Sequence, residues 1–301
     1  MIACCVGITA YNEEANIGRL LEALLAQQSR IAKIVEIIVV ASGCTDRTED
    51  VVEGFMRRDP RIRLLRQAQR EGKASAVNLL LRSTQCGIIA LESADTIPLP
   101  ETMDALMEPF QDPKIGMVGG RPIPTNSPDH FMGYGVHLLW KLHHLVSLHN
   151  PKMGELIAFR NVFQQIPMET AVDEASIEPL IIGQGMRLSY APRAVVRNKG
   201  PETARDFIKQ RRRIFVGHLY VKDTLGYKVS TLNSLRMLWL FLINFQSEIQ
   251  PWNWRHMFWA PAIGLLETYV RILATYDYIF HHSQPYVWPV AETTKDLAEV
   301  S

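Results

Sequence analysis

No apolar run in this sequence is long enough and free enough of charge to cross a bilayer, which takes about 18 residues or more. The nearest, Met237–Phe245 and Met257–Leu266, are interrupted by Asn244 and followed by Glu248 or Glu267. The first residues lack a basic region and a cleavage site, so no signal peptide is expected. Cysteine is scarce, and Cys4, Cys5, Cys44 and Cys86 contain no C-x-x-C pair. Free, buried thiols in a reducing compartment are therefore expected, without structural zinc. Net charge is also nearly absent, with 32 Lys and Arg against 31 Asp and Glu, so there is no global footprint for nucleic acid. These absences point to a cytoplasmic protein whose remaining route to a membrane is peripheral, on the cytoplasmic face.

Three familiar templates are missing too. No G-x-G-x-x-G follows the first apolar run, which disfavours a dinucleotide enzyme. A P-loop would need Gly at position 67 and Ser or Thr at position 74, where Gln67 and Ala74 stand. The His-rich run H-L-L-W-K-L-H-H lacks the H-E-x-x-H of zinc hydrolases.

What is present alternates. Apolar runs Ile2–Thr9, Val35–Val40, Ile62–Leu65 and Ile88–Leu91 read as strands. Between them, Ile17, Leu20, Leu21 and Leu24, then Val52, Phe55 and Met56, then Ala74, Val77, Leu80 and Leu81 recur at helical spacing. Asp46 with Glu49 reads as a capping box for the second helix. This order predicts βαβ units and a mainly parallel sheet flanked by helices, an α/β fold. Ligands of such sheets bind beyond the carboxyl ends of the strands, so Tyr11–Glu14, Ser42–Asp46, Glu71–Lys73 and Ser93–Asp95 should converge on one pocket. Further on, Met117–Gly120 reads as a strand and Val136–Leu148 as a helix. Leu232–Phe245 and Phe258–Phe280 read as helices with wide apolar faces, and Ala291–Ser301 as a polar tail. At 301 residues, one large domain with an appendage is expected: residues 1–222, with a donor half 1–100 and an acceptor half 101–222, then a helical extension 223–301.

Between Asp173 and His218 the chemistry is concentrated. Asp173 and Glu174 open a helix, a strand-like run follows, and a basic helix closes the stretch. Eight Lys or Arg lie between Arg193 and Arg213, opposed only by Glu202 and Asp206. Carboxylates that accept a proton, near guanidinium groups that grip phosphate, suggest transfer from a phosphorylated leaving group. The plain alternative for the acids is a favourable place at a helix N-terminus.

In this order, five motifs resemble the family 2 glycosyltransferases of the GT-A fold: I-T-A-Y-N-E-E, V-V-A-S-G-C-T-D-R-T, R-E-G-K-A-S-A-V-N, L-E-S-A-D-T and Q-R-R-R-I. The resemblance covers roughly Ile2–His218 and is closest to transferases that use polyprenyl-phosphate or other lipid-linked acceptors. It implies a donor site for a nucleoside-diphosphate sugar, GDP-mannose or a UDP-hexose, lined by Ala10, Tyr11, Glu13, Ser42, Asp46, Lys73, Ser93, Ala94, Gln210, Arg212 and Arg213. It implies a divalent metal, Mn2+ or Mg2+, at Asp95 with His218, and an inverting base at Glu174 or Asp173. Gly154, Glu155 and Arg160 would face the acceptor, a lipid-linked molecule or a glycan. Where relatives carry acidic residues this chain has Ala41, Ser42 and Ser93, which leaves GDP-sugars in play and motivates an alternative, a nucleotide-sugar-binding protein without turnover. Ile214 replaces the Trp of processive members and implies single additions. The aromatic and basic C-terminal helices would lie at a membrane interface, or else cover the sheet or form a dimer contact.

Overall fold

The structure, a computed structural model, describes residues 1–244, 254–280 and 292–294. Apart from the turn Glu292–Thr294, the expected polar tail lies outside the described residues. Eight strands form one sheet in the order β3-β2-β1-β4-β7-β6-β8-β5. Its first half is parallel: β1 (Ile2–Ala10), β2 (Ala32–Ser42), β3 (Ile62–Gln67) and β4 (Ile88–Ser93). β7 (Leu156–Arg160) then runs antiparallel between β4 and β6 (Ile115–Pro124), and β8 (Arg187–Asn198) lies parallel to β6. β5 (Thr96–Pro98) closes the edge.

The apolar runs fill both faces, as a sheet covered on two sides requires. In β4, Ile88 and Ala90 join the core under the helices α1 (Ile17–Leu25), α2 (Thr48–Met56) and α4 (Thr102–Met107). Ile89 and Leu91 point the other way, against α3 (Lys73–Ser83) and α6 (Asp173–Gly183). Each fully buried Ile or Leu there is worth about 1.5–3 kcal/mol of transfer free energy. A Cβ at Gly7 on β1 would stand 2.1 Å from Leu80 Cδ1, so the bare glycine lets the Leu80 side chain of α3 pack directly on the strand backbone.

The remaining helices cover the second half. α5 (Phe131–His149) is longer than the Val136–Leu148 pattern suggests. α7 (Ala204–Leu225) starts at an N-cap Thr203, whose side chain accepts from Asp206 N, and ends at Gly226 in the left-handed region. α8 (Ser234–Asn244) and α9 (Trp254–Phe280) pack on α5 and α7. α9 corrects one expectation: its 27 residues are long and apolar enough, by length and composition, to cross a membrane. Its apolar stretch is broken by a few charged residues, Glu267 and Arg271 among them, so no uncharged run in it reaches spanning length.

Two further expectations are overturned. Cys5 and Cys86 form a disulfide across 81 residues, so only Cys4 and Cys44 are free. Strand pairing explains it: Cys5 lies opposite Ile89, which places the segment before β4 beside it. The capping box also fails to form. Asp46 precedes the N-cap Arg47 and accepts from Thr48 N and Oγ1, while Glu49 reaches Arg66 instead.

Glu92 lies wholly inside, with Oε1 accepting from Thr96 and Oε2 without a partner. Burial lifts its carboxyl from the ordinary 4.5 to about 8. The folded protein therefore keeps a proton that the unfolded chain has lost. This contribution to stability is full below the ordinary carboxylate range and disappears as pH rises toward 8. Glu92→Gln should flatten the fall in stability over that window, by at most about 1.4 kcal/mol per pH unit. Parallel denaturation midpoints for the variant and the parent, taken across the same pH series, would refute this burial effect.

Candidate active site

The carboxyl ends of β1, β2, β3 and β4 open on one rim, and side chains stitch their loops together. Asn12, at φ 52, is a non-glycine residue in the left-handed region, held there by its side chain. Its Oδ1 accepts from Thr45 N at 2.8 Å and its Nδ2 donates to Thr45 Oγ1 at 3.0 Å. Asp46 Oδ2 accepts from Glu14 N, and Ser42 Oγ from Glu71 N. Partial burial opposes ionisation of Asp46, but hydrogen bonds from Thr48 and Glu14 hold its carboxyl below the usual value. The Arg70 guanidinium lies 4.2 Å from the centre of the Tyr11 ring. The four expected clusters do converge, and Ala10, at the end of β1, pairs with Ala41 beneath them.

Glu13 is drawn inward. It is buried, its Oε2 accepts from Asn16, and its backbone N donates to Thr48 Oγ1. These contacts lie in the turn before α1.

Antiparallel pairing of β7 with β4 puts Leu156 opposite Glu92, so Glu155 enters from the same rim beside Ser93. Lys73, in the first turn of α3, joins the two halves. Its Nζ lies 3.1 Å from Asp173 Oδ1 and donates to Ser93 Oγ at 3.3 Å. Burial works against the Lys73 ammonium, but Asp173, Glu174 and Glu155 outweigh it and raise its pKa. Asp173 is buried, and its neighbour Glu174 is half-buried. Burial first, then the Asp173 charge, pushes the Glu174 carboxyl up, with Lys73 and Lys152 pulling it back. Glu155 is raised by burial and by Asp95, against Lys73 and Arg213. Asp95, Glu155, Asp173, Glu174, Lys73 and Arg213 thus form one electrostatic cluster. Ala94 is buried beneath it.

On α7 successive residues point about 100° apart, and the three arginines divide accordingly. Arg213 faces the carboxylates and has a buried Nε without a partner. Gln210 lies one turn earlier on that face. Arg212 does not line the site: it pairs with Asp277 of α9. Arg211 also turns to α9, donating to Glu267 at 3.0 and 2.8 Å.

His218 and Arg160 must be reassigned as well. His218 is buried near Lys152, Arg211 and Arg271, and burial first, then those cations, pushes its imidazole well below the ordinary value. A ring of cations repels a metal, so His218 does not fit as a ligand. Arg160 ends β7 on the far rim, opposite Ile88, where it donates to the carbonyls of Ile115 and Phe110. It is a strand clamp. Gly154 does stay on the working rim, where a Cβ would meet Pro122 Cγ and His143 Cε1, each at 3.4 Å.

Arg70 and Lys152 were not foreseen. Lys152 is buried, donates to Met153 O, and is pushed down chiefly by burial, with Glu174 and Glu178 opposing. Within N-P-K-M it reads as a solvated loop residue, so the sequence carried no signal for it.

Among the described residues, the group of three His, Cys, Asp or Glu side chains with ligand atoms within 4.8 Å of one another is Cys5, Glu36 and Cys86, away from this rim. Asp95, whose charge helps raise the Glu155 carboxyl, and Glu155 itself bring to the rim oxygen donors of the kind a hard cation takes.

A parallel half-sheet whose loops meet a carboxylate cluster, extended by a mixed half-sheet and backed by a basic helix, is the architecture of GT-A glycosyltransferases. The profile of "Glycosyl transferase family 2" matches residues 5–172, and the chain belongs to that family. Among solved structures it is similar to a mannosyltransferase from Pyrobaculum calidifontis in complex with GDP-Man and Mn2+. That match has a TM-score of 0.63 at 18% identity, over 93% of this chain and 88% of the other. Glucosyl-3-phosphoglycerate synthase from Mycobacterium tuberculosis, in complex with Mn2+ and uridine-diphosphate, matches at TM-score 0.51 and 18% identity, over 71% and 78%. A dolichyl-phosphate beta-glucosyltransferase of Trichomonas vaginalis is 24% identical over 205 residues, 61% of this chain and 60% of that protein. The alignments span 28% to 65% of the lengths of the curated relatives.

Proposed function

We propose that the chain transfers a hexose, with inversion, from a nucleoside-diphosphate sugar to a hydroxyl of a lipid-linked or glycan acceptor. The observation that carries this reading is Lys73, which touches Ser93 of the donor half and Asp173 of the acidic pair. The acceptor oxygen bonds to the anomeric carbon as its proton passes to Glu174. The bond from that carbon to the diphosphate breaks, and its electron pair leaves with the nucleotide. Glu174 suits the base role because its carboxyl is partly open and raised, whereas Asp173 is buried against Lys73. Arg213, with Gln210, would hold the diphosphate. Tyr11, Ala10, Ser42, Asp46, Ser93 and Ala94 would form the nucleotide side, and Gly154 and Glu155 the acceptor side. Asp95, with Glu155, would hold Mn2+ or Mg2+, and the ion would offset charge on the leaving diphosphate. Ile214 at the processive Trp position favours single additions. The family profile and the complexes of similar proteins with GDP-Man and with uridine-diphosphate support a nucleotide-sugar donor.

A peripheral membrane contact fits the exposed apolar side chains Leu238, Trp239 and Leu242 of α8 and Phe258, Leu265 and Ile272 of α9. Of the charged residues on α9, Glu267, Arg271 and Asp277 are engaged with α7 or each other. Phe258→Ser with Leu265→Ser should reduce flotation with anionic vesicles; undiminished flotation would remove the contact from these helices.

The donor site is tested by thermal stabilisation with GDP and with UDP, each with and without manganese. One nucleotide should raise the melting temperature, more so with the metal. Stabilisation by neither would overturn the donor assignment. Stabilisation without turnover of any nucleotide sugar would favour the binding-protein alternative.

A further inference from the structure

Toward the amino ends of the parallel strands, away from the catalytic rim, sulfur and oxygen side chains from three segments meet. Cys5 lies on β1, Glu36 on β2 and Cys86 in the turn between α3 and β4. A bulge in β2 creates the meeting: Cys4 pairs with Ile34 but Cys5 with Glu36, so Val35 is the extra residue. The bulge switches the phase of the strand. Ile34 joins the core of Cys4 and Val6, whereas beyond the bulge Ile38 and Val40 join the opposite core, against α3. Glu36 is thereby turned to the side of Cys5, and the ligand atoms of Cys5, Glu36 and Cys86 all lie within 4.8 Å of one another. Cys5 Sγ stands 3.4 Å from Glu36 Oε2. That is close to the roughly 3.5 Å between a thiolate and a carboxylate oxygen on a tetrahedral zinc, with bonds of about 2.3 and 2.0 Å. The carboxylate is also aimed. Buried Thr84 donates from Oγ1 to the same Oε2 at 2.8 Å, and Arg63 holds Oε1. Thr84 Oγ1 accepts from Cys86 N at 3.2 Å, which ties the turn to the carboxylate.

We propose that, when the Cys5–Cys86 disulfide is reduced, Cys5, Cys86 and Glu36 bind a thiophilic divalent cation of the zinc class, with water in the fourth position. Thiolate ligands select such a cation over Mg2+ and Mn2+, which take oxygen. Two thiolates and a carboxylate, together with the Arg63 guanidinium and a divalent ion, sum to zero charge, so the bound site is electrically balanced. A small dithiol supplies the two electrons. Its own sulfurs join as a disulfide, the bond between Cys5 and Cys86 breaks, and each of those sulfurs gains a proton. Metal binding then releases both protons. Cys86 is half-buried and Cys5 buried, so the attacking thiolate reaches Cys86 and Cys5 leaves. The cation joins β1, β2 and the turn before β4, where the disulfide joins only two of them. Because its ligands come from three segments, no C-x-x-C marks the site in the sequence. The site does not depend on the transferase reading: Cys5 lies about 16 Å along β1 from Ala10 at the rim.

The test uses the full chain, with cobalt as a coloured stand-in for zinc. The thiol count of the folded protein should rise from two to four on treatment with a dithiol. Once the dithiol is removed in the absence of air, cobalt should produce a thiolate-to-cobalt charge-transfer band that saturates at one equivalent per chain and disappears when zinc displaces it. The oxidised chain should give no band, a comparison that needs no variant. Cys86→Ser, at a half-buried position, should lose most of the band. Glu36→Gln should keep it but weaken the affinity by roughly tenfold or more, and Cys44→Ser should change neither. Cobalt held by Asp95 and Glu155 has no sulfur ligand and gives no such band, so the rim does not enter the readout. Zinc should also raise the melting temperature of the reduced chain more than that of the oxidised one. A disulfide that resists the dithiol in the folded chain, a reduced wild type without the charge-transfer band, or a band of equal strength in Cys86→Ser overturns the proposal.

Discussion

Glu174→Gln is expected to lower sugar transfer by about 10²–10⁴-fold, the usual contribution of a positioned general base, with nucleotide affinity nearly unchanged. Gln keeps the size and the hydrogen-bonding oxygen but cannot take the proton of the attacking group. Burial and the adjacent Asp173 raise the Glu174 carboxyl to about 8, so near neutrality much of the enzyme would carry it protonated and inactive. The rate should therefore climb about tenfold per pH unit below that value and level off above it. Asp173→Asn should act differently. It removes the partner of Lys73 and loosens the link to Ser93 without removing the base. A loss of activity in Asp173→Asn with full activity in Glu174→Gln would move the base by one residue.

Arg213→Gln is expected to raise the KM for the donor by roughly 10- to 100-fold, the loss of one charge-assisted hydrogen bond pair to a diphosphate. Arg213 faces Glu155 and has a buried Nε without a partner, whereas Arg212, one residue earlier, is committed to Asp277. Arg212→Gln should therefore leave the donor KM within about twofold and instead weaken the seat of α9 on α7, a half-buried pairing worth about 1 kcal/mol. Equal effects of the two variants on the donor KM would contradict the division of labour along α7.

Local patterns carried much of this fold. The runs of β1, β2 and β4 and the stripes of α1 and α3 announced the parallel half, because strands buried on both faces need continuous apolar sequence. β7 was harder to see: its five residues L-I-A-F-R alternate with nothing, and only pairing with β4 and β6 defines them. The disulfide depends on the same long-range register, which brings together cysteines 81 residues apart.

In the site, residues fixed by loop position were legible. Lys73, Asp95, Glu155, Asp173 and Glu174 come together at one rim. Residues whose role depends on direction were not. Arg212 and Arg213 are adjacent in sequence and turn to different partners, a distinction made by α9 more than 50 residues away. His218 depends on which side of α7 it occupies, and that side is lined by Lys152, Arg211 and Arg271. Arg160 lies at the wrong end of a strand whose antiparallel direction the motif order does not reveal.

The most direct test of the central claim is proton NMR of the first sugar product formed from an α-linked nucleoside-diphosphate hexose with manganese present. Because Glu174 would deliver the acceptor to the face opposite the leaving diphosphate, a β-configured product, lost in Glu174→Gln, is the expected result. An α-configured product, or the same product from Glu174→Gln at the wild-type rate, would contradict inverting transfer through this carboxylate.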